Sequence, residues 1–218
     1  MSKFSIDSNL VWLAEKLGQV DEVTSVEQVS RHSLRISREA YSPFVAGVVS
    51  AQRVEAETIR PLVIYNNGIE IIGNVPKESF WTGSAIRLAS ESDIAIGSLG
   101  DIFRAIHHKN VRTFRSKNSE FVERGLTQHD QVSNFELVHD KLYRIARNRF
   151  PDLTVAMLHE YELTADRLRI AREWYGPFAI AVNTDPNGSF TNSAEELAES
   201  LDIEVLLWRQ FLGRLNRA

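Results

Sequence analysis

Three residues in the second half of the chain have side chains suited to acid–base or metal chemistry. His159 and Glu160 follow one predicted strand, and Asp185 follows the next. Ligand sites in parallel α/β sheets lie at the carboxyl ends of the strands, so we expect these side chains to lie close together. They could divide into a catalytic acid and base, or Glu160 and Asp185 could hold Mg²⁺ or Mn²⁺. The residues 109 positions earlier are Ser50, Ala51 and Pro76, which can do neither. Ordinary loop divergence is the alternative explanation for the presence of the cluster in one half alone.

A second group of polar residues recurs at this spacing, at predicted strand ends and helix starts. Helix N-termini attract anions, so the group is a candidate ligand-binding set. The alternative is structural, because asparagine at a strand end bonds its own turn and Thr or Ser caps the next helix. The recurring residues are Asn74 and Asn183, Thr82 and Thr191, and Ser84 and Ser193.

Two arginines three residues apart also recur, as Arg35 and Arg38 and again as Arg144 and Arg147. On one face of a helix such a pair could grip phosphate, so Arg144 and Arg147 join the candidate ligand-binding residues. The alternative is that they form salt bridges between the lobes with acidic residues such as Glu136.

The spacing of 109 residues holds along the whole chain without a gap. By direct count 21 of the 109 pairs are identical, about 19%, whereas unrelated sequences of ordinary composition would match at roughly 6%. A tandem duplication into lobes 1–109 and 110–218 is therefore predicted, because a period this long suits two domain-sized units. We expect the lobes to superpose strand for strand about a pseudo-twofold axis.

Each lobe is predicted to be a helix-helix-βαβαβα unit. Alternating strands and helices predict an α/β fold with parallel sheets and right-handed crossovers. Leading helices are predicted at 9–17 and 121–126. The predicted strands are 44–49, 69–73, 94–97, 153–158, 178–182 and 203–207, and the predicted helices between them are 54–65, 83–91, 163–175 and 192–200.

The second helix of each lobe is predicted from a capping box. A hydroxyl residue precedes a glutamate by three positions in the segments 24–27 and 133–136, the spacing of an N-cap and a glutamate that bonds back. We predict helices at 25–39 and 134–148. A β-hairpin is the alternative, because apolar residues also alternate toward the end of each segment.

Large aromatic residues are retained between the halves as well. Trp12 corresponds to Phe121, and Trp81 corresponds to Phe190. Retained bulk of this kind favours positions in the core, with an interface as the alternative for Trp81 and for Trp208.

Composition excludes several classes of protein. The chain has no cysteine, which excludes disulfides, thiolate metal sites and cysteine nucleophiles. No G-x-G-x-x-G or G-x-x-x-x-G-K-[ST] motif occurs, so the usual dinucleotide and nucleotide cradles are missing. A net charge of −4 and 43% hydrophobic residues indicate a globular protein and argue against unspecific DNA coating. Since no apolar run approaches a membrane span, we expect a cytoplasmic protein without membrane contact.

The segment from Phe178 to Leu215 adds a family resemblance. It includes AVNTDPNGSFTNSAEELAESLDIEVLLWRQFLGRL, which resembles the closing strand–helix–strand–helix of restriction-endonuclease-like nucleases of the Mrr type. In that family a strand carrying D or E-x-K precedes this segment and binds the metal. Here the preceding strand reads TVAMLHEYE, with Glu162 where the pattern would place a lysine after Glu160. The resemblance implies a nuclease, and a hairpin in place of the second helix would give such a nuclease its three-stranded meander.

The missing motifs and the one-sided candidate sites favour a non-catalytic binding or assembly module built from two duplicated lobes. We expect it to use no cofactor and to bind a protein partner or a second copy of itself. The alternative is a divalent-metal-dependent nuclease or phosphoesterase, with Mg²⁺ or Mn²⁺ and a nucleic-acid substrate bound in the second lobe.

Overall fold

The computed structural model of the protein describes residues 6–65 and 68–217. The chain divides into two compact units, Met1–Ser116 and Lys117–Ala218. Each unit has a five-stranded sheet, a two-stranded sheet and several helices. Within the described ranges, no helix combines the length and apolar character needed to cross a membrane.

The first unit begins with a helix and a three-stranded meander, and then alternates strands with helices. Its helices are α1 (Ile6–Leu17), α2 (Ala56–Ile64), α3 (Gly83–Glu91) and α4 (Leu99–Ala105), followed by a 3-10 turn at Val111–Thr113. Its strands are β1 (Val23–Ser30), β2 (Ser33–Arg38), β3 (Phe44–Val49), β4 (Arg53–Val54), β5 (Ile69–Asn74), β6 (Phe80–Trp81) and β7 (Ala95–Ser98).

The second unit has the same order of elements. Its helices are α5 (Lys117–Thr127), α6 (Ala165–Tyr175), α7 (Asn192–Ser200) and α8 (Trp208–Arg214). Its strands are β8 (Val132–His139), β9 (Leu142–Arg147), β10 (Leu153–Leu158), β11 (Glu162–Leu163), β12 (Ile180–Asn183), β13 (Ser189–Phe190) and β14 (Glu204–Leu207).

Both large sheets are mixed, whereas the sequence predicted parallel sheets. The first has the order β1-β2-β3-β5-β7 and the second the order β8-β9-β10-β12-β14. In each sheet the first three strands are antiparallel, and the last three are parallel to one another. The pairing registers agree at a spacing of 109, since Ala46 pairs with Ile71 and Val155 pairs with Ile180. An α/β fold is therefore confirmed, but with an antiparallel meander leading each sheet.

The predicted helices at 25–39 and 134–148 are wrong, because both segments are β-hairpins. The alternation of apolar residues decides the conformation: Leu34 and Ile36 are buried, while Arg35 between them is exposed. Glu27 lies within β1 directly opposite Arg35 instead of closing the first turn of a helix. A period of two along each strand outweighs the capping-box spacing, because it allows each strand to bury one face.

Helices cover both faces of the first sheet. On one face, α1 and α4 pack against the sheet, and Leu10, Leu13 and Leu17 of α1 are fully buried. On the other face, α2 and α3 pack through Ile59 and Ala85. Every residue of β3 is consequently buried, as its continuous apolar sequence predicts. Burial of the apolar side chains on both faces is the main stabilising contribution in such a three-layer unit.

Candidate functional site

The candidate residues of the second half lie where two neighbouring parallel strands end. Strands β10 and β12 are paired, with Leu158 opposite Asn183. His159 and Glu160 follow the first of these strands, and Asp185 follows the second by two residues. The parallel pairing thus brings the two loops to one edge of the sheet, as the sequence predicted.

Asn183 fastens these two loops together. Its side chain is fully buried and its amide oxygen accepts hydrogen bonds from the backbone N–H groups of Glu160 and Asp185, each at 3.2 Å. Its amide nitrogen donates to the carbonyl oxygens of Glu160 at 2.8 Å and Ser189 at 3.2 Å. All four of these hydrogen bonds are to backbone groups, so Asn183 positions the loops.

Asn74 has the corresponding position in the first unit, at the end of β5. Its amide oxygen accepts from the N–H of Ala51 at 3.1 Å, and its amide nitrogen donates to the carbonyl of Ala51 at 2.8 Å. Both asparagines therefore join their strand end to the loop that follows the neighbouring strand. The sequence offered a structural role within the asparagine's own turn as the alternative to ligand binding, and these bonds also reach a second loop.

His159 is brought close to Asp185. Its Nε2 lies 3.9 Å from Asp185 Oδ2, and its Nδ1 lies 3.3 Å from Thr184 Oγ1. The hydroxyl of Thr184 is itself 2.8 Å from Asn118 Oδ1 and 2.9 Å from the carbonyl oxygen of Leu158. Because both of those groups are acceptors, the hydroxyl proton is directed toward them and Oγ1 is left to accept from Nδ1–H of His159.

Glu160 forms an ion pair with Arg167 of α6. Its Oε1 lies 2.9 Å from Nε and 2.8 Å from Nη2 of Arg167, which compensates its negative charge. The two predicted metal ligands therefore have different partners, since Asp185 lies beside His159. Among residues 6–65 and 68–217, no group of three or more His, Asp and Glu side chains is placed to hold a metal ion.

The recurring Thr and Ser residues act at helix starts. Thr82 accepts a hydrogen bond from the N–H of Ala85 at 3.4 Å, and Thr191 accepts from Ala194 at 3.1 Å. The neighbouring hydroxyls of Ser84 and Ser193 lie 3.0 and 3.1 Å from the capping threonines. These contacts are those of N-caps, which satisfy backbone donors that the first turn leaves free.

The two arginines of the predicted phosphate-binding pair face different surroundings. Arg144 is exposed and forms a salt bridge of 2.7 Å to Glu136 on the neighbouring strand β8. The salt-bridge alternative thus describes Arg144, but its partner lies within the same unit.

Arg147 is 7% exposed and is directed at backbone carbonyls. It donates to Pro151 at 2.8 Å and to Leu215 and Arg217, just beyond α8, at 3.4 and 2.5 Å. A positive charge at a helix C-terminus is favourable, although burial lowers the pKa of the Arg147 guanidinium. Arg38 makes the corresponding bonds in the first unit, to the carbonyls of Ser42, Ala105, Ile106 and His108.

Sequence reasoning missed three side chains that shape the site: Asn118, Arg167 and Thr184. Asn118 could have been identified from the sequence, because Asn9 stands 109 residues before it and the two halves are therefore identical at this position. Nothing in the spacing identified Arg167 or Thr184, whose contacts depend on where α6 begins and on how β10 and β12 are paired.

A depression of about 400 Å³ lies away from these residues, at the opposite edge of the second sheet. Leu153, Ile180 and Glu204, which begin β10, β12 and β14, form part of its wall. The salt bridge of 2.8 Å between Glu204 and Arg214 spans this region. No predicted site residue lines the depression, so it is separate from the carboxyl edge.

Comparisons with known proteins found no protein family that matches the chain, and no similar curated protein or solved structure.

Proposed function

We propose that the chain is a tandem duplication whose two lobes form a non-catalytic binding and assembly module. The matching registers support the duplication, as do Asp93 and Asp202, which stand 109 residues apart and share a left-handed backbone conformation with φ of 55° and 54°. That conformation is uncommon outside glycine, so its recurrence at equivalent positions is informative. We expect a pseudo-twofold axis to relate the lobes.

The observation that carries the assembly function is the exposure of one aromatic side chain on the first helix of each unit. Trp12 on α1 is 48% exposed and Phe121 on α5 is 40% exposed. The adjacent residues Leu13 and Val122 are fully buried, so each helix packs on its own sheet mainly through a different face, and the ring of Phe121 also lies 5.0 Å from that of Trp208 on α8. The expectation that Trp12 lies in a core is wrong, whereas Trp81 is buried in the core of the first unit. A retained, exposed aromatic is typical of a contact surface.

The charges beside these aromatics fit a second copy of the chain. Glu15 and Lys16 are exposed near Trp12, and Glu120 and Arg124 are exposed near Phe121. Because each outer face carries both signs of charge, antiparallel packing of two such faces can place acidic groups opposite basic groups. Such an isologous contact is the commonest arrangement in homo-oligomers.

The structural contacts of the candidate side chains support a non-catalytic function. Glu160 is paired with Arg167, Asn183 is bonded to backbone, and Arg147 is buried against the end of α8. Each of these candidate groups has a structural partner within its own unit, which accounts for its presence without a substrate.

Sedimentation analysis over a wide range of concentration tests the proposal. We expect reversible self-association that is weakened in a variant carrying Trp12→Ser and Phe121→Ser. The control is Tyr161→Ser, since Tyr161 is 78% exposed but follows β10 instead of lying on a first helix. A chain that remains monomeric at every concentration, or an association lost only in the control, would contradict the assembly function.

The alternative function, a divalent-metal-dependent nuclease or phosphoesterase, is favoured by one observation, the approach of His159 to Asp185 at a shared strand edge. Phosphodiester cleavage that requires Mg²⁺ or Mn²⁺ and is abolished by Asp185→Asn would support it. Cleavage that survives this substitution would place any activity elsewhere.

A further inference from the structure

We propose that His159 and Asp185 form a binding site for a transition-metal ion of the class that accepts imidazole and carboxylate ligands, such as Zn²⁺. The inference goes beyond the assembly function, and neither depends on the other. It differs from the site predicted from the sequence in two respects, because it excludes Glu160 as a ligand and favours an imidazole-binding ion over Mg²⁺.

The first support is the orientation of the imidazole. Nδ1 of His159 lies 3.3 Å from the buried hydroxyl of Thr184, so Nε2 is the ring nitrogen left to bind an ion, and it lies 3.9 Å from Asp185 Oδ2. A hydrogen bond from the second ring nitrogen to a fixed acceptor is the usual support for a metal-binding histidine, since it sets the tautomer and the ring orientation.

The second support is the rigidity of the carboxylate. Asp185 Oδ1 accepts from the N–H of Asn187 at 2.8 Å, and the backbone N–H of Asp185 donates to the buried Asn183. One carboxylate oxygen is thus engaged within its own turn, while Oδ2 faces the imidazole. A ligand held in this way loses little conformational entropy when it binds an ion.

The third support is the separation of the two facing atoms. At 3.9 Å, Nε2 and Oδ2 are too far apart for a hydrogen bond. Two ligands of one tetrahedral Zn²⁺, at distances near 2.1 Å, would lie about 3.4 Å apart. A shift of about half an ångström by the half-exposed imidazole would reach that geometry, with water as the remaining ligands.

The chain supplies two matched controls. His107 Nδ1 lies 3.8 Å from Glu22 Oε1, a similar pair of donor atoms. That pair lies on the surface of the first unit, with both side chains more than half exposed, and so lacks the buried support of His159. Glu160 is adjacent to His159 but is paired with Arg167, so its removal should leave the site intact.

Isothermal titration of the full chain with zinc chloride tests the proposal, at a pH where imidazole is ordinarily neutral. We expect saturable binding that His159→Gln and Asp185→Asn each weaken by at least about tenfold. Glu160→Gln and His107→Gln should bind as the wild type does. Asp185→Asn keeps the amide oxygen that its turn requires, so the comparison does not depend on a disrupted fold.

A second measurement locates the ion in the wild-type chain. Mn²⁺ bound at this site should broaden the amide NMR signals of residues 159–160 and 184–187 before those near His107. Absence of saturable zinc binding, or its loss in His107→Gln, would overturn the proposal. So would equal loss in Glu160→Gln, since the ion would then be held by the carboxylate pair of the alternative hydrolase function.

Discussion

Replacement of Asn183 by alanine should destabilise the second unit more than replacement of Asn74 by alanine destabilises the first. The two residues occupy equivalent strand ends and are both almost fully buried. They differ in the number of backbone groups that they satisfy, which is four for Asn183 and two for Asn74. Each position is therefore the control for the other.

The expected magnitudes follow from those contacts. A protein hydrogen bond contributes about 1 kcal/mol net, so Asn183→Ala should lower the free energy of unfolding by about 4 kcal/mol and Asn74→Ala by about 2 kcal/mol. Backbone donors left unpaired in a buried site add to the loss, and a water molecule that enters the space reduces it.

Hydrogen exchange measured by mass spectrometry resolves the two units separately, which a single denaturation curve of a two-unit chain does not. In Asn183→Ala the amides of Glu160 and Asp185 should exchange much faster, whereas the amide of Ala51 should be unchanged. Equal destabilisation by the two substitutions, or unchanged protection of Glu160 in Asn183→Ala, would refute the role assigned to these asparagines.

Two further predictions concern charged groups that are buried or partly buried. Arg147→Met should lower the free energy of unfolding of the second unit by about 3 kcal/mol, because three carbonyls lose a donor. Hydrogen exchange of that unit measures this, with Arg38→Met in the first unit as the matched variant, and an effect below the error of measurement would contradict it. Burial raises the pKa of Glu70 from its ordinary 4.5, against the opposing effects of Arg112 and Arg38. The folded state therefore holds this proton more tightly than the unfolded state, and the stabilisation present below pH 4.5 is lost as the pH rises through the raised pKa. Glu70→Gln should flatten the decline of unfolding free energy above that pH, and an unchanged pH profile would contradict the sign of the shift.

Several elements could be predicted from local sequence because local forces determine them. Strand β3 is a continuous apolar run and is buried on both faces. Helix α3 begins at a threonine cap and spans the predicted residues 83–91. In both cases the pattern that forms the element lies within the element itself.

The hairpins could not be identified with the same ease, for a physical reason. β1 and β2 are joined by Arg31 and His32, and β8 and β9 by Asp140 and Lys141. Neither pair contains the glycine that most strongly indicates a two-residue hairpin turn. The spacing of a hydroxyl residue and a glutamate was then the clearest local feature, although Glu136 forms a salt bridge across the strands.

The candidate site was predictable only in its location. Parallel pairing at a strand edge follows from the α/β pattern, so Glu160 and Asp185 were expected to meet, with His159 beside them. The pairing of Glu160 with Arg167 depends on the first turn of α6, and the bonds of Arg147 depend on the end of α8. Contacts between elements of this kind require the packed structure.

Association through the first helices is tested most directly by spin labels on those helices. The chain has no cysteine, so Glu15→Cys and the equivalent Arg124→Cys each provide a single labelling site beside Trp12 or Phe121. As concentration rises, we predict intermolecular dipolar coupling in at least one of these variants and none for a label at Glu57→Cys on α2. Spectra of isolated spins at every concentration in both helix variants would contradict the assembly function.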